Sequence, residues 1–92
     1  MGTPAKWSLL LEQSHGAPEL SVVTTVEGTR EEAEAQCGEV VRAYQPVHPR
    51  RPQRRRVFRT QDGWLLMGDG ASGYAYTYRF TMCELVWDSG PL

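Results

Sequence analysis

The chain has 92 residues, of which 40% are hydrophobic and 23% charged, a composition that predicts one folded domain with one core. Its net charge of −1 conceals an uneven distribution, because residues 1–49 carry net −4 and residues 50–92 carry net +3. The chain as a whole is therefore not a polycation, and any attraction to phosphate would be local to the second half. No stretch approaches the roughly 20 apolar residues of a membrane span, and the N-terminus lacks the basic-then-apolar order of a signal peptide, so we expect a cytoplasmic protein without a membrane partner.

Two strands are predicted first along the chain. In residues 7–12, Trp7, Leu9 and Leu11 are expected on one side of a strand and Ser8, Leu10 and Glu12 on the other, and the segment runs into a turn. Glu19–Glu27 alternates more regularly. In the second segment Leu20, Val22, Thr24 and Val26 are expected on one side of the strand. The two segments are predicted to form a hairpin.

A helix is predicted after Gly28. Thr29 and Glu32 have the spacing of a capping box, in which each side chain accepts a hydrogen bond from the backbone N–H of the other. Beyond them, five side chains recur at helical period and predict one buried seam. These are Ala33, Cys37, Val40, Val41 and Tyr44. Gly38 is expected to mark close packing of the helix on a sheet, and Pro46 to end the helix.

A proline- and arginine-rich connection is predicted at residues 45–53, followed by three strands. Arg54–Thr60 and Trp64–Met67 flank Gln61-Asp62-Gly63, which indicates a hairpin. Tyr74–Trp87 is expected to be one long strand with a bulge near Glu84. The predicted fold is therefore α+β, in the order β-β-α-β-β-β, with an antiparallel sheet and one amphipathic helix on one face. We expect a single domain over residues 1–92, with flexible ends at 1–6 and 88–92.

The sequence offers no recognisable catalytic, cofactor or metal constellation, and we expect none. His15 and His48 lie beside Gly or Pro in turn-like segments, without a Cys, Asp or Glu at a metal-ligand spacing. The glycine-rich stretch 68–73 precedes a strand, whereas a phosphate-binding loop precedes a helix. Cys37 and Cys83 lie in periodic apolar segments and are predicted to be two buried thiols. The chain is therefore not expected to be an enzyme.

A stretch of arginines without acids offers one candidate site, a nucleic-acid contact. Its residues are Arg50, Arg51, Arg54, Arg55, Arg56 and Arg59. Guanidinium groups bind phosphates in bidentate fashion, and Phe58 and Trp64 would supply stacking surfaces. The acidic first half opposes this reading, because its carboxylates would repel a phosphate backbone. A solvated basic strand that pairs with Glu12, Glu19, Glu27 or Glu84 on neighbouring strands explains the charges equally well. The prolines of this region also fit a proline-rich ligand pattern, for which a structural linker is the preferred interpretation.

A second candidate site is an exposed apolar face of the sheet, because the last two predicted strands are apolar on both sides and one helix covers only one face. The candidate interface residues are Leu10, Val23, Leu65, Met67, Tyr74, Tyr76 and Tyr78. Such a face would be covered by a homodimer, by another protein, or by curvature of the sheet itself. The first functional hypothesis is therefore a non-enzymatic module that self-associates or binds a protein. The second is a nucleic-acid-binding accessory protein that uses the arginine stretch.

Several short segments distributed along the chain resemble a group of small uncharacterised proteins of Streptomyces and related actinobacteria. The residues that carry the resemblance are Trp7, Gly28 to Ala33, Pro46, Pro49, Arg54 to Arg59, Asp62-Gly63, Gly70, Tyr78 to Phe80 and Glu84 to Val86. The resemblance implies a cytoplasmic bacterial protein. It implies no reaction, cofactor or ligand, and it assigns no functional residue.

Overall fold

The computed structural model describes residues 5–13, 19–46, 51–71 and 73–92. His15, His48 and Arg50, which figure in the sequence predictions, lie outside these residues. The elements in chain order are β1 (Ala5–Gln13), β2 (Glu19–Gly28), α1 (Arg30–Ala43), β3 (Arg54–Arg59), β4 (Gly63–Asp69) and β5 (Ala75–Leu85). The predicted α+β order β-β-α-β-β-β is confirmed. β1 begins at Ala5, within the segment expected to be flexible.

The five strands form one antiparallel sheet in the order β2-β1-β5-β4-β3. β2 and β3 are consecutive strands in the chain but lie at opposite edges of the sheet. The chain between them must therefore cross one whole face, and α1 makes that crossing in contact with β2, β1, β5 and β4. This crossing places α1 on one face only. Within the described residues, no helix has the length and apolarity needed to cross a membrane.

α1 begins as the sequence predicts. The Thr29 hydroxyl accepts a hydrogen bond from the Glu32 backbone N–H at 3.1 Å, and the Thr29 N–H donates to Glu32 Oε1 at 3.0 Å. The two bonds satisfy donors that would otherwise be unpaired at the helix N-terminus. Gly28, just before the cap, has φ of +143°, a conformation that side-chain-bearing residues rarely adopt.

The core lies between α1 and the sheet face that it covers. The predicted helical seam is confirmed, because Ala33, Cys37 and Val41 are buried, and Val40 and Tyr44 pack against the same cluster. The sheet contributes six large buried side chains to this core, namely Leu9, Leu11, Trp64, Leu66, Tyr78 and Phe80. The Tyr44 ring packs edge-on against Phe80 at 5.3 Å between centroids and seals the helix end of the core.

The bulge predicted near Glu84 is wrong. β1 pairs with β5 in unbroken register from Lys6↔Leu85 to Gln13↔Tyr78. The irregularity lies in the β1–β2 pair instead, where Leu9 faces Thr24 and Leu10 faces Val22, so that Val23 is the extra residue of a bulge. β5 ends at Leu85, before Trp87, and its pairing with β1 ends at Lys6↔Leu85.

Candidate interaction surface

The sheet face opposite α1 is called the open face here. Side chains alternate between the two faces of a strand, so the register assigns each strand residue to one side. The open face is formed by Lys6, Ser8, Leu10 and Glu12 of β1, Leu20, Val22, Thr25 and Glu27 of β2, Arg54, Arg56 and Phe58 of β3, Leu65, Met67 and Asp69 of β4, and Thr77, Arg79, Thr81, Cys83 and Leu85 of β5. No helix or strand of the described residues covers it.

Apolar side chains occupy much of the open face. Leu10, Leu65 and Met67 are half-buried by their neighbours within the sheet. Three others project further, with exposed fractions of 65% for Leu20, 62% for Val22 and 44% for Phe58. These residues form two apolar groups, one on β1 and β2 and one on β3 and β4, which the polar residues of β5 separate. Exposed apolar groups on an uncovered sheet face are typical of a binding surface.

Three of the predicted interface residues lie together on this surface. Leu10, Leu65 and Met67 lie on the open face, on three different strands. Leu20, Val22 and Phe58 were missed. The regular alternation of β2 places Leu20 and Val22 on the same side as Val26, but the bulge at Val23 shifts the phase and turns them to the opposite face. The signal that could have revealed this shift is the Val22-Val23 pair, which interrupts strict alternation.

The other predicted interface residues do not belong to the open face. Tyr78 is 2% exposed and lies in the core beneath α1, and Val23 and Tyr76 pack against that core. Tyr74 precedes β5, is exposed, and contacts the Tyr76 ring at 4.9 Å between centroids. Tyr78 lies in the core on the same side of the sheet as its register partner Leu66, and Tyr76, two residues earlier in β5, lies on that side as well. They therefore form no part of a single surface with Leu10.

One register row crosses the whole open face. It passes from Leu20 through Glu12, Arg79 and Leu65 to Phe58, one residue from each strand. The two charged residues are direct cross-strand neighbours and both are exposed. In the part of the chain that the structure describes, neither side chain makes a hydrogen bond or an ion pair. In this row, Glu12 and Arg79 are therefore adjacent but form no ion pair, and apolar residues lie on either side of them.

The arginine stretch is divided between the two faces of the sheet. Arg54 and Arg56 lie on the open face, whereas Arg55 and Arg59 lie on the helix side. Arg51 precedes β3 and is exposed. The two proposed stacking surfaces are divided in the same way, since Phe58 is exposed on the open face and Trp64 is 7% exposed beneath α1. The residues therefore do not converge on one surface.

Three of these arginines are engaged within the fold. Arg55 Nη2 donates to the carbonyl oxygens of Arg42 and Tyr44 at the end of α1, at 3.2 and 2.6 Å. Arg56 Nη2 lies 3.2 Å from both carboxylate oxygens of Asp69. The expected partners Glu12, Glu19, Glu27 and Glu84 are wrong, because among the described strands β3 lies at an edge of the sheet and pairs with β4.

Arg59 is the most extensively engaged of the group. Its guanidinium lies 4.6 Å from the centre of the Trp64 ring, and its Nη2 is 3.1 Å from Glu34 Oε1. Its Nη1 donates to the carbonyl oxygens of Thr60 and Gly63. Arg59 therefore holds the turn between β3 and β4 against α1.

A shallow groove of about 260 Å³ lies between α1 and the β3–β4 hairpin. It is lined by Gly38, Arg42, Val57, Arg59 and Trp64. Both of its guanidinium groups are paired with helix carboxylates, Arg42 with Glu39 and Arg59 with Glu34. The groove thus presents cations whose charge is already balanced.

The two cysteines differ in their surroundings. Cys37 is fully buried in the core, and burial raises the pKa of its thiol. Cys83 is only half-buried and lies on the open face, so the prediction of two buried thiols is wrong for Cys83. The two form no disulfide. Among the described residues, no group of three or more His, Cys, Asp or Glu side chains is placed to hold a metal ion.

Comparison of the chain with protein-family models, with curated proteins and with solved structures finds no match. The functional reading therefore depends on the geometry of the two sheet faces.

Proposed function

We propose that this chain is a non-enzymatic interaction module that binds a protein through the open face of its sheet. The observation that carries the proposal is the difference in burial between the two faces of the sheet. α1 covers one face completely enough to bury Leu9, Leu66 and Phe80, while Leu20, Val22 and Phe58 project from the other into solvent. Keeping such side chains exposed confers no stability on the monomer, whereas a protein partner would remove their surface from water.

The mixed chemistry of the open face favours a protein over a nucleic acid. Phosphate backbones are bound by clustered cations, and binding surfaces of that kind carry net positive charge. Here Arg56 is already paired with Asp69, and Arg79 lies beside Glu12. Apolar residues interspersed with balanced charges are typical of the centre and rim of protein interfaces. Among proteins, a second copy of the chain fits best.

The native thiol of Cys83 supplies a test without any substitution, because it lies on the open face while Cys37 is buried in the core. The rate at which an uncharged alkylating reagent modifies Cys83 would be measured for dilute purified protein and for the same protein in extracts of the cells that produce it. A bound protein would slow the modification of Cys83 in the extract. Cys37 serves as the internal control for folding, since it should stay unmodified in both samples.

Two further measurements in the same experiment separate the possible partners. Leu65→Asp places a charge on the open face, where Leu65 is half-exposed, and should abolish the protection of Cys83 while leaving the fold intact. Nuclease treatment of the extract should leave the protection unchanged. Equal Cys83 rates in dilute buffer, in the extract and in concentrated purified protein would overturn the proposal, because a second copy protects Cys83 only at high protein concentration. Protection that disappears after nuclease treatment would replace the proposal with the nucleic-acid alternative.

A further inference from the structure

The central register row of the open face is complementary to itself. Consider a two-fold axis that runs parallel to the strands, in front of the sheet and midway between β1 and β5. The rotation lays β5 of a second copy over β1, and β4 of that copy over β2. Along the row, Arg79 of the second copy then faces Glu12, and its Leu65 faces Leu20. The symmetry repeats both contacts, so the row forms two ion pairs flanked by two leucine pairs.

The same axis also gives compatible contacts in the neighbouring register rows. In the next row Leu10 faces Thr81 of the second copy, and Val22 lies opposite Gly63. At the end of β1 the Lys6 side chain faces an apolar residue, Leu85. In the register rows that the structure describes for β1 and β5, no two like charges are brought together.

From this pattern we infer that the partner of the open face is a second copy of the chain, packed face to face about that axis so that it covers β2, β1, β5 and β4 and leaves β3, with Phe58, outside the overlap. The inference rests on the proposed function and names its partner. It also accounts for Glu12 and Arg79, which are direct neighbours in one sheet but form no ion pair there. Each is free to pair across the interface, where complementary charges fix the orientation of the two copies.

The size of the face sets the expected strength of the contact. Strands lie about 4.8 Å apart and rise about 3.3 Å per residue, so four overlapped strands present roughly 500 Å² per copy. A total near 1,000 Å² is at the low end of specific interfaces. Stacked sheets twist by about 30° relative to each other, which preserves contacts near the axis best, and Glu12 and Arg79 lie beside it. We therefore expect a reversible dimer with a micromolar dissociation constant.

Charge reversal tests both the dimer and its axis. The variants Glu12→Arg and Arg79→Glu each bring like charges together at both symmetric positions, so each alone should dimerise at least about tenfold more weakly than the wild type. Mixed in equal amounts, the two variants form a heterodimer in which both pairs are again opposite in sign. The mixture should recover the wild-type affinity, although each chain still carries like charges within its own sheet. Sedimentation velocity from about 5 to about 500 µM would measure this series.

Matched controls separate this effect from a change in net charge. Glu31→Arg and Arg51→Glu make the same charge changes on exposed residues outside the open face, and both should dimerise like the wild type. Circular dichroism would verify folding of every variant. If a reversal unfolds the chain, the neutral pair Glu12→Gln and Arg79→Gln replaces it, and each should weaken the dimer several-fold.

Each result has a distinct meaning. A wild type that is monomeric at all concentrations overturns the inference, and the Cys83 measurement then decides separately whether another protein covers the face. If the wild type dimerises and the reversal variants, or their neutral replacements, dimerise equally well, the two-fold arrangement is overturned. The chain would then still be a self-associating module. Loss of the dimer in each reversal variant without recovery in the mixture overturns the arrangement as well.

Discussion

The backbone of Gly63 lies directly against the carbonyl oxygen of Phe80 in the neighbouring strand. A Cβ atom at position 63 would come within 2.0 Å of that oxygen, a distance that no relaxation of a side chain could relieve. Gly63 does not have a positive φ. Gly63 of the Asp62-Gly63 pair is the first residue of β4, and it must be glycine because the backbone of β5 lies so close to it. The conformation of the turn does not require a glycine there.

Gly63→Ala is accordingly expected to lower the free energy of unfolding by about 3 kcal/mol, because backbone has to move to accommodate the methyl group. Gly38→Ala is the matched change within α1. There the nearest atom to the new Cβ would be Trp64 Cζ2 at 3.6 Å, an ordinary contact, so the better helix propensity of alanine should raise stability by about 0.5 to 1 kcal/mol. Urea denaturation of the two variants measures both signs, and equal effects would contradict this account.

Arg59 and Arg54 lie on the same strand but should differ sharply in their contribution to stability. Arg59 stacks on Trp64, pairs with Glu34 and donates to two carbonyl oxygens, whereas Arg54 is exposed and makes no side-chain contact of these kinds with the described residues. Arg59→Ala should cost about 1 to 2 kcal/mol, and Arg54→Ala should change stability by less than about 0.5 kcal/mol. Thermal unfolding compares the two, and a larger loss for Arg54→Ala would refute the structural role of Arg59.

The capping box should make stability depend on pH in a defined direction. The Thr29 backbone N–H, and then its hydroxyl, hydrogen-bond Glu32 and lower the pKa of its carboxyl below the ordinary value of 4.5. A lowered folded-state pKa means that the ionised carboxylate stabilises the fold above pH 4.5, and that this contribution is lost as the pH falls through the folded-state pKa.

Glu32→Gln should therefore be less stable than the wild type near neutral pH, and the difference should shrink as the pH falls below 4.5. Thr29→Ala removes the other half of the box and should cost about 1 kcal/mol at neutral pH. Glu31→Gln, one residue away and exposed, is the control for a general change of charge at the helix end. A difference between Glu32→Gln and wild type that stays constant with pH would show that the carboxylate is not engaged.

The two thiols should react at very different rates in dilute protein. Cys37 is 0% exposed, so its modification requires unfolding, and for a domain of ordinary stability this slows alkylation by about 10³-fold or more relative to an exposed thiol. Cys83 should react in the folded state. Because burial raises the pKa of Cys37, its neutral thiol favours the fold below pH 9.0, and that contribution is lost as the pH rises through the higher folded-state value. Mass spectrometry of alkylated protein separates the sites, and similar rates would contradict the burial of Cys37.

The elements whose signals are local were predictable from the sequence. The capping box at Thr29, the seam from Ala33 to Tyr44 and the hairpin at Asp62-Gly63 each depend on residues a few positions apart. The errors arose where a strand's phase depends on its neighbour. The bulge at Val23 is a feature of the β1–β2 pairing, and it determines that Leu20 and Val22 point away from the helix.

The sequence by itself determined which segments become helix or strand and that one helix leaves a sheet face uncovered, because periodicity and capping are encoded over short distances. Only the tertiary structure decided which side chains share that face, since strand order and register join residues as distant as Leu20 and Phe58 in one row. The same long-range pairing places Glu12 beside Arg79, and it divides the contiguous arginines of β3 between two opposite faces. Proximity along the chain says little about proximity on a pleated surface, where adjacent residues point in opposite directions.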